Sequence, residues 1–348
     1  METDNLYINN ALDWLKRAVD SLVSHKRTDE GTGFVRSSKQ IIPEQKEGIF
    51  YTATFQAYSA LLESAETYKA EAFGLKEMTL ELTHIFTSDL FAKKDQYSTN
   101  NGSRSIILLE QILKVMVYLQ KYKHTIGEDI INAAKEAIDI ETAKTDILSN
   151  NANDEYYYPE AGRSPWFLLS LLNCQKYIET IYGDANGIIK IPSVDNLIDS
   201  HINYHMARYN VKELSFDPIS LVIALCCKIT RDPGFKTSPF CISCLEAIVK
   251  LQHNDGCWPT GATISFDDSG DVIQQASIQI ASQLAEAIID YKFLVDCNDN
   301  VEQVLDIIIP SFRKLFNYIT ATFEKLDNPC VYGWSSDRIK LKGYTETW

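Results

Sequence analysis

The sequence predicts an all-α protein, on three observations. Apolar residues recur at helical spacing through most of the chain, and no apolar/polar alternation longer than a few residues appears. Gly (15) and Pro (10) are few for 348 residues, whereas an all-β chain of that length needs many tight turns. Finally, a more charged helix leads through a polar loop into a more apolar helix about six times along the chain. A helix pair repeated every ~40–60 residues signals a stacked or closed array, because one pair cannot bury its apolar face alone.

Residues 6–27 open the series, with Leu12, Trp14, Ala18, Leu22 and Val23 at helical spacing. A polar loop, Thr28 to Gly48, leads to a helix over 49–69 that is rich in small and aromatic residues (Tyr51, Ala53, Phe55, Ala57, Tyr58, Ala60). So few charges in its first turns predict burial on several sides. A charged helix near 72–91 then leads to the apolar helix 105–122, and another near 128–148 leads through Tyr156-Tyr157-Tyr158-Pro159-Glu160 to 165–181. Ser164-Pro165 reads as an N-cap followed by proline at the first helical position, and Asp217-Pro218 repeats that chemistry after a helix over 194–208. Helices follow over 218–229, 238–253, 272–293 and 301–326. The sixth pair lacks its apolar partner, because the chain stops at Thr345-Glu346-Thr347-Trp348, where that helix should begin. The expectation is one domain over 1–348 that is part of a longer protein.

Composition narrows the function. Lys plus Arg total 33 and Asp plus Glu 47, a net charge of −14. Nucleic acids and anionic membrane surfaces both require a positive field, so neither is an expected partner. Apolar runs such as Ile219 to Cys227 are far too short to span a bilayer. The N-terminus has no basic segment followed by an apolar one, which argues against a secretory signal. The expected location is the cytoplasm, with the eight cysteines reduced.

Three junctions share a glycine followed by an aromatic residue after a charged helix: Gly33-Phe34, Gly256-Cys257-Trp258 and Gly333-Trp334. The middle one belongs to the segment CLEAIVKLQHNDGCW, Cys244 to Trp258. That segment resembles the QW repeat of the terpene cyclase and prenyltransferase superfamily, in which an apolar helix is followed by Gln and then Gly-x-Trp. Gln252, Gly256 and Trp258 occupy those positions. The resemblance implies an α/α toroid with inner helices around a central cavity. It gives Gln252 the task of tying down the end of an outer helix, and Trp258 that of covering the turn into an inner one. Neither Gly33-Phe34 nor Gly333-Trp334 has the Gln. Gly-x-aromatic junctions also occur in other (α/α)6 barrels, such as sugar-active and lanthionine-forming enzymes.

Asp267-Asp268-Ser269-Gly270-Asp271 spells D-D-x-x-D, which in class I terpene synthases holds Mg²⁺ against a diphosphate. The alternative is a cap: Asp271 or Ser269 opens the next helix, and the other carboxylates favour its positive end. The D-x-D-D acid of class II cyclases does not occur. Cys241, Cys244, His253 and Cys257 have a spacing that zinc could use, but cysteine is also a common core residue and the core reading is favoured. His201 and His205 stand one helical turn apart, read as a solvated face rather than a shared metal site; no metal ligand is assigned. Tyr156, Tyr157, Tyr158, Asp217 and Trp334 are the candidate ligand-binding residues, because junction loops of a toroid gather at the cavity mouth. The expected function is a binding or scaffolding module of a larger protein, holding a protein partner, a peptide or a small apolar ligand. The alternative is a terpene-cyclase-like enzyme acting through Asp267, Asp268 and Asp271, the only reading in which Mg²⁺ is a cofactor.

Overall fold

The computed structural model describes residues 12–13, 15–23, 26–27, 33–34, 51–64, 102–121, 128, 132, 157–158, 161–183, 194–211, 218–256, 302–322, 324–325 and 332–333. These are overwhelmingly helical. We label the helices α1 (15–23), α2 (Tyr51–Ser64), α3 (Gly102–Lys121), α4 (Pro165–Tyr182), α5 (Asp195–Asn210), α6 (Pro218–Arg231), α7 (Pro239–Lys250) and α8 (Glu302–Thr322). Among the described residues no helix is long and apolar enough to cross a membrane.

Three antiparallel strand pairs, two residues per strand, complete the described elements: β1 (Lys26–Arg27) with β2 (Gly33–Phe34), β3 (Tyr157–Tyr158) with β4 (Gly162–Arg163), and β5 (Glu324–Lys325) with β6 (Tyr332–Gly333). Sequence reading ends the first helix at Arg27 and the last at Leu326, so β1 and β5 stand where helix was expected; it takes the other four strands as loop, since a two-residue ladder leaves no alternation to read. Each pair follows or precedes a helix, and each has a glycine in its second strand: Gly33 opposite Arg27, Gly162 opposite Tyr158 and Gly333 opposite Glu324.

The chain divides into two compact units whose segments alternate: 1–147, 173–191 and 323–348 form one, and 148–172 with 192–322 form the other. In the first, α2 packs on α3 and carries β2 against it. Phe55, Tyr58 and Leu62 of α2, with Ile106, Ile112, Leu113 and Met116 of α3, are fully buried. Each contributes about 1.5–3 kcal/mol over its exposed state. A polar tie marks the edge of this core: the Tyr118 hydroxyl donates to Glu63 at 2.6 Å, and Lys114 Nζ lies 3.2 Å from the same oxygen.

In the second unit α5 packs on α6, and α7 packs on α6 and α8. Leu221 to Cys227 are all buried, so α6 is surrounded and is the central helix of its unit. Local chemistry sets the helix ends. Gly183, with φ +79°, closes α4 by donating its N–H to Glu179 O at 2.8 Å, a left-handed cap. Asp232 caps the 3-10 turn Pro233–Thr237, and Ser238 Oγ caps α7 by accepting from Cys241 N at 3.1 Å, with Pro239 at the first position. At α4 the expected side-chain cap is not made. The helix begins at Pro165, but the buried Ser164 Oγ has no hydrogen-bond partner, and Ser164 O instead accepts from Leu168 N at 3.2 Å.

Candidate functional site

The β3–β4 hairpin and α5 bring together three buried polar side chains, Arg163, His201 and His205. Gly162 leads into this group with φ +89°, and a Cβ there would stand 3.0 Å from Leu197 Cδ2 of α5. The next residue, Arg163, is 4% exposed, and its guanidinium carbon lies 5.1 Å from the Phe167 ring centroid. Its carbonyl is held by His201 Nε2. A carbonyl only accepts, so that nitrogen carries the proton and sets the tautomer. His201 stacks on His205 with ring centroids 6.1 Å apart and planes 18° from parallel. Tyr204 meets His205 edge-on at 5.0 Å, and Arg208 covers the Tyr204 ring at 3.4 Å.

Both histidines are 0% exposed, which overturns the solvated-face reading. The buried positions of α5 are Ile198, His201, Ile202, His205 and Met206, so the histidines occupy two places in one continuous helical stripe. Burial pushes the His201 pKa down to about 4, against an upward pull from its bond to the Arg163 carbonyl. Burial, then the charges of His201 and Arg208, take His205 down to about 3. Both rings are therefore neutral at neutral pH. They stack instead of turning their nitrogens toward one point, and His201 Nε2 is engaged with backbone.

At the end of α7, Gln252 Nε2 donates to Gly256 O at 2.8 Å and to Ser311 O at 2.9 Å, while Gln252 Oε1 accepts from Ser311 Oγ at 2.8 Å. Two carbonyls on the nitrogen side and a hydroxyl on the oxygen side fix the amide's orientation. Gly256 has φ +106°, and a Cβ built on it would fall 2.1 Å from Lys314 O in α8. The residue must therefore lack a side chain both to adopt its backbone angle and to let the turn touch the helix. Cys241 and Cys244, read as core, are fully buried in α7. Burial raises both thiols to about 12, with Cys244 adding to the effect at Cys241. Among the described residues no three His, Cys, Asp or Glu side chains are grouped to hold a metal ion.

The first unit carries a polar contact that sequence reading missed. Glu110 of α3 is buried and accepts from Asn173 Nδ2 at 2.7 Å. Beside it Cys174 Sγ points at Ile106 O at 3.8 Å, and burial together with the Glu110 charge pushes that thiol up. The signal was present: Ile106, Leu109, Glu110 and Leu113 share one helical face, and a carboxylate there is out of place.

Of the expected site residues, the structure brings Gln252 and Gly256 together with α8. Tyr157 and Tyr158 are placed in strand β3, opposite Arg163 and Gly162, rather than in a loop. Tyr156, Asp217, Trp258, Asp267, Asp268, Asp271 and Trp334 lie outside the described residues, as does Cys257. No family model matches the chain, and no curated protein or solved structure matches it. The likeness to terpene cyclases thus rests on Gln252, Gly256 and Trp258 and on the helix-pair rhythm.

Proposed function

We propose that the chain is a single-domain α/α toroid of about six helix pairs. It would work in the cytoplasm as a binding or scaffolding module, holding a protein partner, a peptide or a small apolar ligand at its cavity or rim. The observation that supports this reading is how the buried polar groups are used. His201 holds the Arg163 carbonyl, Gln252 holds those of Gly256 and Ser311, and Cys227 Sγ lies 3.8 Å from that of Pro165. Each secures backbone, and the buried imidazoles and thiols are kept uncharged. Such groups maintain a shape; a nucleophile or a general acid needs a pKa near the working pH. The Tyr157–Tyr158 strand, on a hairpin pinned in this way, is the proposed contact surface.

The test has two arms. In the first, the purified chain is incubated with isoprenoid diphosphates and Mg²⁺; no product is expected from it or from Asp268→Asn. Turnover that disappears in Asp268→Asn would replace the module by the terpene-cyclase-like enzyme. In the second, an apolar reporter dye, anilinonaphthalene sulfonate, is titrated against the native chain, Tyr157→Ala and Tyr158→Ala. Saturable binding that weakens in the variants is expected; identical binding by all three removes the hairpin from the contact surface.

A further inference from the structure

We infer that the His201–His205 pair is an acid-released catch: acidification detaches the β3–β4 hairpin from α5 while α7 and α8 remain folded. The hairpin meets α5 at Gly162, beside Leu197, and at the Arg163 carbonyl, on His201. One imidazole makes the second contact, and the other stacks on it, with no exposed surface on either. A proton added to either ring brings a charge into this enclosed stack.

Among the described residues, Arg208 of α5, on the Tyr204 ring, opposes a proton on His205, as does a charge on His201. The α5 carboxylates are engaged elsewhere: Asp195 with Arg231 at 3.1 Å and Asp199 with Lys228 at 2.8 Å, both on α6. Alpha-6 also carries the buried free cysteines Cys226 and Cys227. Tyr204 and Tyr209 add only phenols, the latter raised by burial. Closed, the stack resists protonation; once open, each ring takes up a proton as in free chain, so acid draws the equilibrium toward the open form. At the α7–α8 junction the fastening side chain is Gln252, which does not titrate.

As a means of releasing a ligand, this step rests on the module reading; as a conformational step it does not, and its test uses no ligand. Hydrogen exchange of the full chain is followed from neutral pH to about pH 4, corrected for intrinsic rates, comparing Gly162 and Arg163 with Leu245 to Ile248 of α7. The open population of the hairpin should rise about tenfold per pH unit for each histidine that titrates, starting below about pH 6.5, with α7 lagging. His205→Gln should remove about one tenfold step per unit. Should that variant fail to fold, the imidazole signals of the native chain, titrated by NMR, report the same protonation. Parallel exchange of hairpin and α7, or pH-independent exchange of the hairpin, overturns the inference; failure of the dye and turnover tests leaves it standing.

Discussion

Two turns in the same unit are fastened to neighbouring helices by different chemistry. At the α7–α8 junction a neutral amide spans two carbonyls and a hydroxyl, and a glycine lets backbone meet backbone. At the β3–β4 hairpin a neutral imidazole holds one carbonyl, with a second imidazole stacked on it and the Arg208 charge acting on that second ring. The first fastening depends on shape and is made by groups that do not titrate. The second depends on two rings staying neutral, which burial enforces at an electrostatic cost. Similar positions in the chain rhythm therefore have different weaknesses.

The largest expected effect separates them by pH. In the unfolded chain each imidazole takes up a proton near 6.5, whereas folded His201 and His205 do so only near 4 and 3. Between those values the unfolded state binds more protons, so stability falls as pH falls. The loss begins below 6.5, and it levels off near 4 for His201 and near 3 for His205. Each histidine contributes a slope of about 1.4 kcal/mol per pH unit inside its window. Urea unfolding between pH 6.5 and 5, above most carboxylate titrations, measures it. His205→Gln should roughly halve the slope due to the pair, whereas Gln252→Ala should leave it intact. Equal slopes in native chain and His205→Gln would erase the contrast.

Next comes Gly256→Ala. Its positive φ and the Lys314 carbonyl, 2.1 Å from the Cβ position, act together. We expect a loss of more than about 3 kcal/mol at neutral pH. Gly183→Ala is the control, because φ is +79° there but nothing lies within 4 Å of the Cβ position; about 1 kcal/mol is expected. Comparable losses at the two glycines would show that the α8 contact contributes nothing. Gln252→Ala leaves two carbonyls and the Ser311 hydroxyl without their partner, for about 2–3 kcal/mol, reduced where water enters. Gln252→Glu sharpens the point: its carboxylate faces two carbonyls at neutral pH, so this variant should regain stability in acid while the histidines lose it.

Much of this unit was legible in the sequence. Asp217-Pro218 and Ser164-Pro165 each mark a helix start, because proline there loses no helix bond, and α6 and α4 begin at those prolines. Gln252 and Gly256 were legible as a pair through their likeness to the QW repeat, which gave Gln252 the task of tying down a helix end. Tyr157 and Tyr158 were not legible as a strand, since two residues carry no period. The histidines were misread for another reason. Polarity suggested solvent, but Ile198, Ile202 and Met206 had already assigned their face to the interior. Glu110 was missed similarly, as one charge in an apolar stripe. In each case helical position decided burial, and polarity only determined what the buried group then had to bond.

The smallest effect tests which side of α5 holds it. Its outer edge carries Asp199–Lys228 at 2.8 Å and Asp195–Arg231 at 3.1 Å, with Asp side chains 49% and 43% exposed. Water and salt screen such pairs, and ordering long side chains offsets much of the attraction. Asp199→Asn should cost less than about 1 kcal/mol, and raised salt should shrink that cost further. The inner edge carries the imidazoles against the hairpin and the apolar stripe, so His205→Ala should cost more than Asp199→Asn in the same urea experiment. If Asp199→Asn proved the costlier change, α5 would be held by its surface charges. The buried histidines would then be passengers, and the hairpin's acid sensitivity would need another source.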